Sequence, residues 1–321
     1  MSAMGQPSPH HGDAVLEAIR SPSSAATSAI TASWCRSAIA HGLDPDEVRT
    51  RERLDGAALS AARAEHETML AVAAPVLDHM FRSVGRSGCA VILSDANGVI
   101  LERRSGDGDV AGFTAAGLVE GAVWSEAEQG TNGIGTCLFE GKPVVIHREQ
   151  HFASRYVGIS CMDAPVYDPH GRLVAALDVS SCRDDHGPAM AEMIAALVRD
   201  AARKIERDYF CRHYADRRIL LLSDDAATGS ALLAVDRDDL VVGASRAARL
   251  HLGLTDAALA LPPALGQLLG DDALPSFDDA ERAVLRQALA QAGGNASRAA
   301  RLLGIGRATL YRRMARAGLS G

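Results

Sequence analysis

The last stretch of the chain, "GGNASRAARLLGIGRATLYRRMARAGLSG" (293–321), carries six arginines from Arg298 onward and no acid. A guanidinium grips a phosphate or a guanine edge through two parallel N–H bonds, so the chemistry on offer is the binding of a polyanion. Thr309 adds a hydroxyl suited to phosphate or base. Eight arginines against three acids give residues 278–321 a net charge of +5, which leaves −12 for the rest of a chain whose total is −7. Such asymmetry is the footprint of an acidic globular part joined to a module for a polyanion. A solvated basic helix without a partner would show the same charge. The apolar spacing has to decide.

Other residues of chemical interest lie in the middle of the chain. His147 and His151 are four apart, and Cys161, Cys182 and His186 follow, a set whose soft ligands suit zinc or iron. The histidine pair spans a strand end and a loop rather than one helical face. The six cysteines contain no C-x-x-C, so no metal site is assigned. Cys161 has nothing cationic beside it in sequence to lower its pKa. The glycine-rich "EQGTNGIGTCLFEGKPVVIH" (128–147) lacks the spacing and the Gly-Lys-Ser/Thr ending of a phosphate loop. Its order, G-x-x-G-x-G, is also not the dinucleotide fingerprint, and no cofactor is assigned.

The elements that must position these residues follow from periodicity. Toward the C-terminus, Val284, Leu285, Ala288, Leu289 and Ala292 form one helical stripe, with Asp278 or Asp279 as N-cap and Gly293-Gly294 as stop. Asn295 caps a short second helix whose Ala299-Ala300 pair allows a close crossing, and Gly304 ends it. In the third helix Leu310 and Met314 face inward with Ile305, while Thr309, Arg312 and Arg316 lie opposite. Helix, tight glycine turn and cationic second helix make a helix-turn-helix.

Matches at Gly294, Asn295, Ser297, Ala299, Ala300, Leu303, Gly304, Ile305, Arg307, Thr309, Leu310 and Tyr311 make this segment resemble the Fis-type helix-turn-helix that ends bacterial enhancer-binding proteins. The resemblance implies double-stranded DNA as partner, with Arg307, Thr309, Tyr311, Arg312 and Arg313 in or beside the major groove. Asn295, Ser297, Arg298 and Arg316 complete the implied contact set. Gly306 stands where the family often has a polar cap, so one cap contact is lost.

Upstream, a helix near 60–84 precedes the strand "CAVILSD" (89–95), the turn Asp95–Gly98 and "VILERR". Then come "PVVIH", "DAPVYD", the turn "PHG" and "RLVAALDVSS". Antiparallel strands wrapped by helices describe a small α+β domain. The residues "VWSE" (123–126), "GTNGIGT" (130–136), "HF" (151–152), Cys161 with Ala164-Pro165, and "LDVS" (177–180) resemble the GAF sensor domain of acetoin-regulator-like activators. "SWCRSAIAHGLDPD" (33–46) resembles the leader preceding that domain. The resemblance implies a cup for a small-molecule effector, with Trp124, Glu126, Asn132, His151, Cys161 and Asp178 as lining candidates. For each, a structural role as core residue or cap is the competing reading. Some GAF domains are thiol enzymes that reduce methionine sulfoxide, and Cys137, Cys161 and Cys182 lie in the right segment for that alternative.

The sequence therefore divides into a disordered leader (1–25), an N-terminal helical segment (26–85), an α+β GAF-like sensor (86–186) and a long helix (187–215). A small PAS-like segment (216–260), a proline-rich linker (261–277) and the all-α helix-turn-helix (278–321) follow. In the long helix, apolar residues at 190, 194, 197, 201, 205 and 209 form a stripe able to seal against a twin in a homodimer. No stretch approaches about 18 apolar residues, and the scattered cysteines fit a reducing cytoplasm. Enhancer-binding proteins place an ATPase domain between sensor and helix-turn-helix. No G-x-x-x-x-G-K-[ST] occurs in this chain, so the reading is a regulator that acts by occupying DNA, alone or alongside a full-length enhancer-binding relative.

Overall fold

The computed structural model describes residues 11–20, 26, 28–48, 52–183, 187–225, 228–269, 281–282, 284–286, 288–289 and 292–319. The chain forms two compact units, Met1–Ala260 and Leu261–Gly321.

The first unit is built on a five-stranded antiparallel sheet in the order β2-β1-β5-β4-β3. Its strands are β1 (Cys89–Asp95), β2 (Ile100–Arg104), β3 (Val144–His147), β4 (Ser160–Tyr167) and β5 (Leu173–Ser181). The β1–β2 turn closes as its Asp-x-Asn-Gly sequence dictates. Asp95 Oδ1 accepts the N–H groups of Asn97 and Val99 at 2.9 and 2.8 Å, and Gly98 takes φ +82°.

Every residue of β1 is buried, because both faces of the sheet are covered. On one face lie α4 (Glu67–Val84) and α8 (Pro188–His213), preceded by α3 (Gly56–Glu65). Met69, Leu77, Val198 and Ile205 pack there against Val91, Leu93, Met162, Leu177 and Val179. The other face is roofed by α5 (Val110–Ala116), α6 (Glu126–Gln129), α7 (Gly133–Glu140) and the 148–159 connection. Phe113, Trp124, Ile134 and Tyr156 meet Ile92, Cys161 and Ala176 under that roof. Period-2 alternation thus divides each strand between two cores.

Four expectations need correction. Residues 11–20, assigned to a disordered leader, form helix α1 with Val15 buried against Leu43 and Phe152; residues 1–10 lie outside the described residues. The single helix near 60–84 is two, α3 and α4, parted at His66. Strand β4 begins at Ser160, earlier than "DAPVYD" suggests, which sets Asp163 in mid-strand. The stripe on α8 does not stand free for a twin: Ile194 and Ile205 are buried on the sheet, and only Leu197 of the six is exposed. Packing on its own domain used the apolar side first.

Segment 218–260 holds a second sheet, β6 (Arg218–Asp225), β7 (Gly229–Val235) and β8 (Val241–Ala244), backed by α9 (Arg246–Leu252) and followed by α10 (Asp256–Ala260). Phe210, near the end of α8, packs on Leu232 and Ala234 of β7.

In the second unit, α11 (Leu265–Leu269) falls in the segment read as linker. Helical residues 281–282, 284–286 and 288–289 precede α12 (Ala296–Leu302) and α13 (Arg307–Arg316), while the expected cap at Asp278 or Asp279 lies outside the described residues. Leu285, Ala288, Ala299, Ala300, Leu310 and Met314 form the core, as the periodicity requires.

Gly133, at the start of α7, lies close against strand β4 of the sheet. A Cβ there would overlap Asp163 Oδ2 and stand 2.5 Å from Cys161 Cβ. Gly133→Ala is expected to cost about 1–3 kcal/mol by overpacking, read as a lower urea midpoint at unchanged slope. Wild-type stability would show that the roof lifts freely.

Candidate functional site

The helix-turn-helix is assembled by backbone devices. Asn295 Oδ1 accepts the N–H of Arg298 at 3.1 Å, capping α12. Gly304 takes φ +65° in the turn, and Gly306 begins α13 with no side-chain cap. With Leu310 and Met314 buried, α13 presents Arg307, Tyr311, Arg312, Arg313 and Arg316 to solvent. Thr309 and Ser297 are half-buried, and Arg298 is exposed on α12.

These side chains are not equivalent. Arg313 and Arg316 reach Glu281 at 3.2 and 3.6 Å, which turns them toward the preceding helical segment. Arg307 lies over the Tyr311 ring at 5.6 Å, with Nη2 3.4 Å from its hydroxyl. Arg312 points directly away from the core. The sequence-predicted set therefore shares one module, with Arg307, Tyr311 and Arg312 its outward part and Asn295 used as a cap.

In the first unit, several residues assigned to the cup serve structure. Trp124 is buried, donates its Nε1–H to Gly117 O at 3.0 Å and stacks on Tyr156 at 4.8 Å. Asn132 caps α7: Oδ1 accepts from Gly135 N, and Nδ2 donates to Gly130 O, both at 2.8 Å. Glu126 does not line the sheet at all. It is clasped by Arg36, whose Nε and Nη2 donate at 2.8 and 3.0 Å, by Thr136 at 3.1 Å and by Ser33. Ser33 and Arg36 belong to α2 (Ala29–Cys35) and the π-turn that follows (Arg36–Ala40), so Glu126 fastens the N-terminal segment to the roof.

His151, Cys161 and Asp178 do come together. His151 is fully buried, with Nδ1 donating to Arg148 O at 2.9 Å, which leaves Nε2 to accept from the Cys161 thiol at 3.4 Å. Desolvation drives the His151 pKa down to about 4, so the ring is neutral. Ser180 Oγ stands 3.2 Å from Cys161 Sγ and 2.8 Å from Asp178 Oδ2.

The sequence reading missed Asp163. It faces Asp178 across the β4–β5 pair, and both carboxyls are buried. Among the described residues no N–H or O–H donor reaches either oxygen of Asp163, so the opposing carboxyl is its partner. Burial, then the neighbouring Asp178 charge, pushes Asp163 well up, and burial lifts Asp178 to about 7. The signal was an acid two residues after Cys161 on one strand, which alternation sends to the same face.

Burial, with the same carboxylates, raises Cys137 and Cys161 well above the usual thiol range, and burial, with Asp109 and then Asp178, raises Cys182 to about 12. A nucleophilic thiol needs the opposite shift, and the enzyme alternative finds no support here. His147 bonds to Ser160 at 2.9 Å, away from His151, and among the described residues no three such side chains converge as metal ligands.

The buried groups set opposing pH slopes. His151, depressed in the folded state, favours stability above its unfolded value of about 6.5 and loses it as pH falls toward 4. The carboxyl pair, raised in the folded state, is most favourable below about pH 4 and costs stability as pH rises toward 7. Asp163→Asn should therefore gain on wild type by about 1–3 kcal/mol between pH 4.5 and 7.5, measured by urea unfolding at both. A difference independent of pH would exclude a shared proton.

Residues 14–207 match the family described as MimR, N-terminal domain, and residues 276–316 the bacterial regulatory protein, Fis family. The chain is 31% identical over 226 residues to the acetoin catabolism regulatory protein of Cupriavidus necator, covering 68% of this chain and 34% of that protein. It is 28% identical over 184 residues to the propane 2-monooxygenase operon transcriptional activator MimR of Mycolicibacterium smegmatis, covering 57% of this chain and 30% of that one. The chain thus spans about a third of the length of these curated relatives. The fold resembles a chain in the crystal structure of the E. coli DhaR(N)-DhaL complex, at TM-score 0.51 and 19% identity, covering 82% of this chain and 86% of that one. With more than half of its residues matched by one family, the chain belongs to the MimR N-terminal domain family and carries a Fis-family helix-turn-helix at its C-terminal end.

Proposed function

We infer that the protein is a DNA-binding transcription regulator whose first unit is a GAF-type sensor for a small molecule. The observation that carries this reading is α13, with a buried apolar seam and Arg307, Tyr311 and Arg312 turned outward, in a segment matching the Fis family. Curated relatives named as transcriptional activators support it. One module of this size offers little contact area, so the working form is a cytoplasmic two-fold dimer on half-sites about one helical turn apart. The regulator acts by occupying DNA and can compete with, or assist, longer relatives that share its operators.

The effector enters the cup between the sheet and its roof, where His151, Cys161, Asp163 and Asp178 meet. An effector shifts DNA binding only as far as it prefers one of two states, so ligand-dependent affinity is the property to measure. The segment 218–260 serves as a reduced PAS-like layer on the end of α8. No helix among the described residues is long and apolar enough to cross a membrane.

Arg312→Ala and Arg307→Ala should each weaken operator binding by about 1–3 kcal/mol if they reach a base. Arg313→Ala, already engaged by Glu281, should cost less. Affinity should fall steeply between 50 and 200 mM salt, roughly as a power law in salt. Fluorescence anisotropy on genomic operator fragments reads all three, and a flat salt response would remove the phosphate contacts on which the reading rests. Native mass spectrometry of the full chain should show a small molecule retained by wild type and lost in Asp178→Leu; identical spectra would leave the cup without an effector.

A further inference from the structure

A second concave site lies away from the cup, where the end of β4 meets α8 and α9. It is a cleft of about 130 Å³ with a cationic wall. Lys142 enters from the α7–β3 turn, Arg199 and Arg203 from α8, and Arg246 from the first turn of α9. Glu206 is the one acid in its lining. That carboxyl is half-buried and accepts the Tyr167 N–H at 3.1 Å. Burial lifts its pKa to about 7 against the pull of Arg246 and Arg203, so it carries only part of a negative charge near neutrality.

Two of the four cations, Arg246 and Arg199, have no carboxylate partner among the described residues. Arg246 lies 4.3 Å above the Tyr167 ring and has no carboxylate at ion-pair distance among the described residues. Arg203 is an engaged side chain that reaches Asp200 at 3.5 Å. Lys142 stands 3.1 Å from Glu140, which is shared with Arg36 at 3.2 Å. Arg199 is half-buried with neither ion pair nor hydrogen bond among the described residues. Like charges drawn from three elements into one partly enclosed space repel unless an anion joins them.

We propose that this cleft binds a phosphate-sized dianion, free or as the head of a phosphomonoester. The cleft has room for a tetrahedral oxyanion. Guanidinium forks arriving from α8 and α9 suit an acceptor with oxygens pointing several ways, where a planar carboxylate would satisfy one fork. The bound anion ties α9, and with it the β6–β8 layer, to α8.

The test is hydrogen–deuterium exchange of the full chain titrated with inorganic phosphate, methyl phosphate or succinate at constant ionic strength. Phosphate should saturably protect 141–143, 199–206 and the start of α9. Arg199→Gln, which loses no partner seen here, should weaken that protection at least tenfold while circular dichroism stays unchanged. Arg246→Gln should do the same, and Arg312→Gln should leave it intact, since arginines of the second unit can also attract phosphate. Tighter binding of methyl phosphate than of phosphate identifies an ester ligand, and the reverse identifies the free ion. Protection confined to residues 292–319, insensitivity to Arg199→Gln, or succinate binding as well as phosphate would each overturn the assignment.

Discussion

The pleat of two neighbouring strands governs the first unit. In β4 and β5, residues alternate between an oily side under α4 and α8 and a mixed side under the roof. Register then pairs Asp163 with Asp178 and Met162 with Val179. A slip of one residue in either strand would drive that strand's carboxyl into the helix-packed core, and in β5 would turn Leu177 and Val179 to the roof. Antiparallel pairing over eight residue positions therefore specifies not just the sheet but which chemical groups lie beneath the roof.

That constraint also explains what could be read in advance. Strands β1, β2, β3 and β5 and helix α8 were legible because their apolar patterns and turn residues are local signals. The second and third helices of the helix-turn-helix were legible for the same reason, since glycines at 293, 294 and 304 mark the turns and Leu310 with Met314 marks the seam. Glu126 and Asp163 were not legible, because each is defined by a partner far away in sequence. The partners of Glu126 lie about ninety residues upstream, and that of Asp163 lies across a hairpin. Both are buried acids, and only tertiary pairing decides which meets a guanidinium and which an opposing carboxyl. The stripe on α8 was visible, but a sequence cannot say whether a seam meets a twin or a sheet.

Charge is handled differently in the two units. Within the first, Arg36 is drawn into the clasp on Glu126, while the clustered cations near α9 stay at the surface of a cleft. Within the second, Glu281 is the one described acid and pairs with Arg313 and Arg316, while Arg312 is exposed beside them on α13. A single carboxylate thus divides the exposed arginines of a cationic helix into those it engages and those it does not. Charge reversal at that acid changes the presentation of the arginines without touching them.

Helix α8 spans about 39 Å over its 26 residues. Its early turns are embedded in the five-stranded sheet from Ala191 to Ile205, and its last turns carry Phe210 beneath β7. The two sheets consequently share one splint. Because close-packed side chains yield in discrete steps rather than by continuous creep, a displacement at the sheet cannot fade along the rod; it must either be absorbed where it starts or arrive whole at the far layer.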